Sequence, residues 1–523
     1  MERCPGHRPA LVLAATLCGL VSPTLPACSK PGDDTQPPAV ATDRTVRFGT
    51  ATPLVTFDPH LADTGAPFET YLVLVYDGLT RLNTADFSKP YPGLATSWTW
   101  LDPTTVEFQL RRDVRFIDGE RFDAHAAKAN IERLLRLEGP RINTVTSMHT
   151  AEAVDEFTLR LHLHFPDPTL LYNLGMSPGM MVSPAAFDNP DLDLDPVGTG
   201  PWKYDRANSA IGEVHRFRPN AEYYDAAFRD APRIAIRPLV NNRARLNALI
   251  SGQIDLAEVG PAETAPAQAG GFAISADSSG WLGLTILDRT GELVPELGDP
   301  RVRQALGFAV DRQAIADTVF LGYAQPALQP MAPGLGHDPA LESFFSHDPD
   351  RARALLAEAG VDGFSFSVPV LPQNTALYEA VQAYLRQVNV DMRIKVIEPG
   401  TIEALARTRE YPMNTIAYPN FDPDSRHQAI WSVTAGFNPF RYEDPRLEWL
   451  GRDARRSLDE DLRARHYREY FNIVVKQVLS LPLVYVDQIV AYDPHRLTGV
   501  RVDRYMLRDV RLRETPPVPP AGA

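Results

Sequence analysis

Pro196-Val197-Gly198-Thr199-Gly200-Pro201-Trp202, followed by the strand-like pair Lys203-Tyr204, is the stretch on which the reading of this chain turns. Its prolines fix φ near about −65°, while Gly198 and Gly200 can take φ > 0, so the backbone path is tight and specific. Trp202 is expected to anchor that path by packing. A loop of this kind joins strands in many proteins, so its meaning depends on what flanks it and in which order.

Working outward, Thr45–Thr50 alternates Val46 and Phe48 inward and predicts a strand. Tyr71–Leu82 is too apolar to be exposed and reads as a helix or a strand. Thr105–Leu110 and Val114–Phe116 read as strand segments around Arg111-Arg112-Asp113. Asp123–Glu138 carries Ala127, Ile131 and Leu134 at helical spacing and is stopped by Gly139-Pro140. Beyond the opening stretch, strands are expected at Arg233–Pro238, Trp281–Leu287, Met392–Val396 and Leu483–Val490. Helices are expected at Arg243–Gln253, Thr375–Val388 and Arg463–Leu479. Asp299-Pro300 and Asp348-Pro349 each open a further helix, with Asp at the N-cap and Pro in the first turn. Helices alternating with strands predict an α/β protein.

The chain has 523 residues, enough for two or three domains. A formal charge of −14 argues against nucleic acid or an anionic membrane surface as the main partner. At the N-terminus, Arg3, His7 and Arg8 precede the apolar run Ala10–Leu20, and Leu25-Pro26-Ala27-Cys28 follows. That pattern predicts a secretory signal peptide over residues 1–27. Cys28 after Leu-Pro-Ala resembles a bacterial lipobox, which implies a lipid-anchored Cys28, although Pro26 also fits ordinary cleavage without lipid. Cys4 and Cys18 leave with the signal, so no disulfide framework or thiolate metal site is expected. Residues 28–44 read as a flexible tether, and 516–523 as a disordered tail.

Catalytic patterns are missing from the sequence: there is no G-x-S-x-G, H-E-x-x-H, P-loop or G-x-G-x-x-G opening a helix. His162 and His164 would share one face of a strand with no third ligand, so they read as solvated. Asp191-Leu192-Asp193-Leu194-Asp195 lacks the glycine and closing glutamate of a calcium loop and reads as an acidic turn. No catalytic residue, metal ligand or cofactor is expected.

The segments keep a recognisable order. They run Phe57-Asp58-Pro59-His60, Val75-Tyr76-Asp77-Gly78-Leu79, Pro92–Trp98, Phe108–Phe116 with Asp118-Gly119-Glu120, and Val197–Trp202. Leu249–Leu256, Asp299–Leu306 with Ala309–Arg312, and Leu481–Tyr485 complete the series. Taken together, they resemble the family-5 solute-binding proteins of bacterial ABC importers, the peptide- and nickel-binding class, over almost all of Thr45–Leu512. The resemblance implies a two-lobe periplasmic-binding-protein fold with a hinge and an enlarged lobe I. Lobe I would span 45–285 and return over 495–515, with lobe II at 286–494. It implies a monomer that captures a small peptide or a chelated metal such as nickel and passes it to permease and ATPase subunits. The location would be the periplasm or the outer face of the cell membrane, with any membrane contact through the lipid alone. A secreted hydrolase on the same scaffold is the alternative.

The ligand site is where the sequence departs from the better-known relatives. Aligned on Asp422-Pro423, the chain reads Ile416-Ala417-Tyr418-Pro419-Asn420-Phe421-Asp422-Pro423-Asp424, which places Pro419 where peptide binders carry the aspartate for the α-amino group. Peptide capture then requires Asp422 or Asp424 to substitute. The resemblance to the nickel branch places Arg141 at the position of an arginine that grips chelator carboxylates, while Met180 replaces a second one. The candidate ligand-binding residues are Phe57, Tyr76 and Arg141 from lobe I, and Tyr418, Asn420, Asp422, Arg426 and His427 from lobe II.

Overall fold

The computed structural model describes residues 44–62, 66–82, 90–331, 333–398, 401–419, 422–503 and 505–513. The expected signal peptide, Cys28, the tether up to residue 43, Asn420 and the tail 516–523 lie outside these residues.

Strand Thr45–Thr50 is the centre of the first half of the molecule. It pairs in parallel with Arg233–Pro238 on one side and Leu256–Val259 on the other. Beyond Arg233–Pro238 the sheet continues antiparallel through His215–Pro219 to Trp202–Tyr204. Val46, Phe48, Tyr71, Tyr76, Trp202 and Ile236 share one core on this sheet. A separate antiparallel sheet runs in the order Ala95–Asp102, Thr105–Leu110, Thr158–Leu163, Met148–Asp155. Helix Ala124–Leu137 closes this second sheet, with Ala127, Ile131 and Leu134 in a common core with Phe108 and Leu159. The extra sheet is what enlarges the first lobe.

Two long strands, Ala273–Ile286 and Ser480–Tyr492, pair antiparallel along nearly their full length, the first carrying the chain into the second half and the other bringing it back. Packing changes hands along them. Val490 belongs to the first core, whereas Leu282, Leu284, Ile286, Leu481 and Leu483 belong to the second. The pairing slips twice, between Ser278 and Gly280 and again between Leu282 and Gly283. Met413–Pro419 adds a further strand beside Ala273–Ile286. The parallel pair Phe364–Val370 and Val390–Val396 and the helices Pro300–Ala309, Pro349–Glu358 and Thr375–Arg386 fill the second lobe. Asp299 and Asp348 cap their helices as the sequence predicts, accepting from the backbone N–H of Arg301 and Arg351 at 2.8 Å each.

The opening stretch behaves differently from its sequence reading in one respect. Neither Gly198 nor Gly200 has positive φ. Their requirement is closeness: a Cβ on Gly198 would meet the Tyr76 ring at 2.3 Å, and one on Gly200 the Val75 carbonyl carbon at 2.4 Å. Trp202 is fully buried and donates from Nε1 to the Pro232 carbonyl at 2.8 Å. Val114–Phe116 forms no strand, only an isolated bridge from Arg115 to Arg121 across the Asp118-Gly119 turn. Within Tyr71–Leu82 the helix stops at Val75 and a short strand begins at Thr80.

Candidate functional site

Pro140 ends the helical region after Leu137 and turns the chain into a short 3-10 turn, Ile142–Val145, with Arg141 at its N-cap. The turn is fixed from below, because Thr144 donates to the Arg141 carbonyl at 2.7 Å and Asn173 donates to the Thr144 carbonyl at 2.6 Å. Facing it from the second lobe is the end of strand Met413–Pro419 and the short helix Pro423–Arg426. Between them lies a cleft of about 410 Å³. Arg141, Asn143 and Asn173 line one wall, and Arg407, Tyr418, Asp424, Ser425, Gln428 and Phe437 the other. Its volume falls in the range of small-molecule sites, about 300–1,000 Å³.

The second wall is built on buried charge. Asp422 caps the short helix, accepting from the Asp424 N–H at 2.9 Å, and its other oxygen faces Arg463 at 3.3 Å. Asp424, two residues on, is buried and pairs with Arg455 Nε at 3.3 Å. Its second oxygen, Oδ1, makes no well-aligned hydrogen bond, and Gln428 on the same wall is the polar side chain that reaches the carboxyl. Burial pushes the Asp424 carboxyl up to about 7 against the pull of Arg455, with Asp167 and Asp422 adding to the rise. Asp167, from the first lobe, is also raised by burial and also faces Arg455, at 3.7 Å. Thr169 completes the contact across the lobes, donating to Asp422 Oδ1 at 3.5 Å.

A sequence profile described as bacterial extracellular solute-binding proteins, family 5, middle region, matches residues 89–438. The chain belongs to family 5 of the bacterial extracellular solute-binding proteins. It is similar to the glutathione-binding protein GsiB of Salmonella choleraesuis (strain SC-B67), 27% identical over 419 residues, or 76% of this chain and 80% of GsiB. Its fold is that of NikA from Brucella suis, solved with Fe(III)-EDTA, at a TM-score of 0.79 and 24% identity, covering 90% of this chain and 100% of NikA. The Helicobacter pylori periplasmic binding protein DppA, solved with peptide STSA, gives a TM-score of 0.75 at 23% identity over 90% of this chain and 98% of DppA. The two-lobe α/β architecture expected from the sequence is therefore the one observed. Family 5 supplies the solute-binding components of ABC importers, which are binding proteins and not enzymes. Among the described residues no helix is long and apolar enough to cross a membrane.

Of the residues singled out from the sequence of this family-5 protein, Arg141 and Tyr418 line the cleft together. Asp422 sits just behind the cleft wall, held by Arg463 and its own helix. Arg426 is fully buried with its guanidinium 5.4 Å from the Tyr418 ring centre, and burial lowers it to about 10. Three residues lie in cores. Phe57 packs its ring 4.7 Å from that of Tyr204 in the first lobe. Tyr76 is fully buried against Gly198. His427 faces into the second lobe, with Nδ1 2.9 Å from the Tyr470 hydroxyl and its ring against Gly451. Burial, helped by Arg455, lowers His427 to about 4, so it is neutral. The sequence reading passed over Arg407, Gln428, Arg455 and Asp167. Phe165-Pro166-Asp167-Pro168 did carry a signal, since it repeats the Asp-Pro turn of Asp422-Pro423. Arg407 carried none. Among the described residues no cluster of three or more His, Cys, Asp or Glu could hold a metal ion.

Proposed function

We propose that this binding component of an ABC importer captures a small peptide bearing a free ammonium and at least one carboxylate. The observation that carries the reading is Asp424: a buried carboxylate on the cleft wall, beside Gln428, whose Oδ1 makes no well-aligned hydrogen bond. A buried acceptor left unpaired costs about 1–3 kcal/mol, and more when charged. A ligand ammonium at that oxygen removes the cost. Asp424 then takes the role that Pro419 cannot, with Arg141 as the carboxylate clamp on the opposite wall and Tyr418 flanking. Arg407 provides a second guanidinium. Supporting the class are GsiB, named for glutathione, and DppA, solved with a peptide.

The hinge is placed inside the two crossing strands, at Ser278–Gly280 and Val486–Asp487. The first of the two slips in pairing lies there, and the change of core membership on either side supports that position. Export by the N-terminal signal and anchoring through a lipid on Cys28 remain part of the proposal.

Calorimetric titration with glutathione, the dipeptide Met-Leu and the nickel–histidine chelate tests the ligand class. Saturable binding of a peptide supports it. Binding of the chelate with none of the peptides would move the assignment to chelated metals, and turnover of a peptide would revive the hydrolase alternative.

A further inference from the structure

Arg455 is shared. It projects from helix Pro445–Arg456 of the second lobe and faces two buried carboxylates at once, Asp424 on the cleft wall and Asp167 of the first lobe. The nearer contact, to Asp424 at 3.3 Å, lacks hydrogen-bond alignment. On the first-lobe side, Nη2 donates to Thr146 Oγ1 at 3.1 Å, and the guanidinium lies 4.9 Å from the Phe165 ring centre. Arg456 reaches the same ring at 5.1 Å, and Arg463 joins Asp422 to Thr169 alongside. The loop Phe165–Thr169 is thus held on the second lobe through arginines of two neighbouring helices.

We propose that Arg455 is the positioning residue that couples occupation of the cleft to closure of the lobes. Arg455 and Arg463 together face three buried carboxylates, Asp167, Asp422 and Asp424, and with Arg463 paired to Asp422 the Arg455 charge is divided between the other two. While the cleft is empty, Asp424 competes with Asp167 for it, and the competition weakens the tie between the lobes. A cationic group of the ligand at Asp424 supplies the second positive charge and leaves Arg455 to Asp167. The closed state then gains affinity for ligand relative to the open state, the condition that any ligand-driven closure must meet. The coupling to ligand rests on the reading that Asp424 receives an ammonium; the competition for Arg455 does not.

The test therefore needs no ligand. Spin labels on cysteines placed at exposed Val154 and Leu458, in the full chain with Cys4, Cys18 and Cys28 replaced by serine, report the inter-lobe distance by pulsed EPR. Asp424→Asn removes the competitor, so the closed-to-open ratio of the empty protein should rise, roughly tenfold on the usual scale of site coupling. Adding Asp167→Asn should abolish that rise. An unchanged distance distribution in Asp424→Asn, or a double variant as closed as the single one, would overturn the coupling. If instead closure responds as stated but glutathione and Met-Leu affinities are indifferent to Asp424→Asn, the latch stands and the ammonium reading fails.

Discussion

Gly198 lies so close to Val75 that a Cβ on it would stand 2.1 Å from the Val75 carbonyl oxygen, the same oxygen that accepts the Gly200 N–H at 3.0 Å. The glycine is demanded by a backbone neighbour that cannot move without losing its own hydrogen bond. Gly198→Ala should therefore destabilise the first lobe by about 1–3 kcal/mol, the cost of overpacking a filled core. Gly119→Ala is a useful contrast. Its φ of +97° is strained for alanine, yet nothing lies within 4 Å of the added carbon. Urea unfolding of both variants checks this; a Gly198→Ala midpoint equal to wild type would show that the loop can relax.

Asp77 gathers two arginines from distant parts of the chain, Arg81 at 3.0 Å and Arg508 at 2.9 Å. Burial alone would raise its carboxyl, but Arg508 and Arg81 more than offset this and hold it below the usual range. Arg508 also donates to the carbonyls of Val73 and Tyr76, pinning helix Met506–Asp509 to the first lobe. Arg508→Ala leaves Asp77 with one partner and should cost about 3–5 kcal/mol. Limited proteolysis should then release the C-terminal segment before the rest of the chain unfolds, and a cleavage pattern identical to wild type would contradict this.

Acid stability should depend on two buried histidines. Burial and Arg133 lower His60 to about 4, and burial and Arg455 do the same for His427. Each is neutral when folded, whereas the unfolded chain takes up its protons near pH 6.5. The unfolded state thus binds more protons between about pH 6.5 and 4, so stability falls as pH drops through that window, by about 3 kcal/mol for each histidine. Asp424 acts in the opposite sense. Raised to about 7 by burial, with Asp167 and Asp422 adding and Arg455 and Gln428 opposing, it favours the folded state at acid pH, and that contribution is lost as pH rises through 7. Removing it with Asp424→Asn should steepen the loss of stability on acidification. Urea titrations at about pH 5 and pH 7 check the sign; a pH dependence equal to wild type would mean that Asp424 does not titrate in this window.

Arg141→Ala should weaken binding of a peptide ligand by about 1.5–3 kcal/mol, some tenfold to more than a hundredfold, the loss of a charge-assisted hydrogen bond. His427→Ala should leave that affinity unchanged while lowering stability, because its ring serves Gly451 and Tyr470. Calorimetry and thermal unfolding on the two variants separate the roles. Loss of affinity in His427→Ala with stability intact would return His427 to the site.

Much of the fold was legible in local chemistry. Asp299-Pro300 and Asp348-Pro349 announce their helices, and Asp444-Pro445 caps another in the same way. Strand Ala273–Ile286 is evident in the sequence only from Trp281 onward, because Asp277-Ser278-Ser279-Gly280 has the composition of a turn although it continues the crossing strand. The site was harder. Phe57 and Tyr76 lie in motif segments that suggest ligand contacts, but identity alone does not say whether an aromatic ring faces a cleft or a core. Arg141 came from its matched position, and Tyr418 from its place before the Asp-Pro turn. Asp167 and Arg455 meet only because the lobes bring distant segments together, and no local pattern encodes such a pair.

The most direct measurement is native mass spectrometry of the protein purified from its own host, with fragmentation of whatever small molecule it retains. The account predicts a compound carrying a free amine and at least one carboxylate, retained by wild type and lost from Asp424→Asn and from Arg141→Ala. A retained ligand without an amine, or one held equally well by both variants, would contradict it.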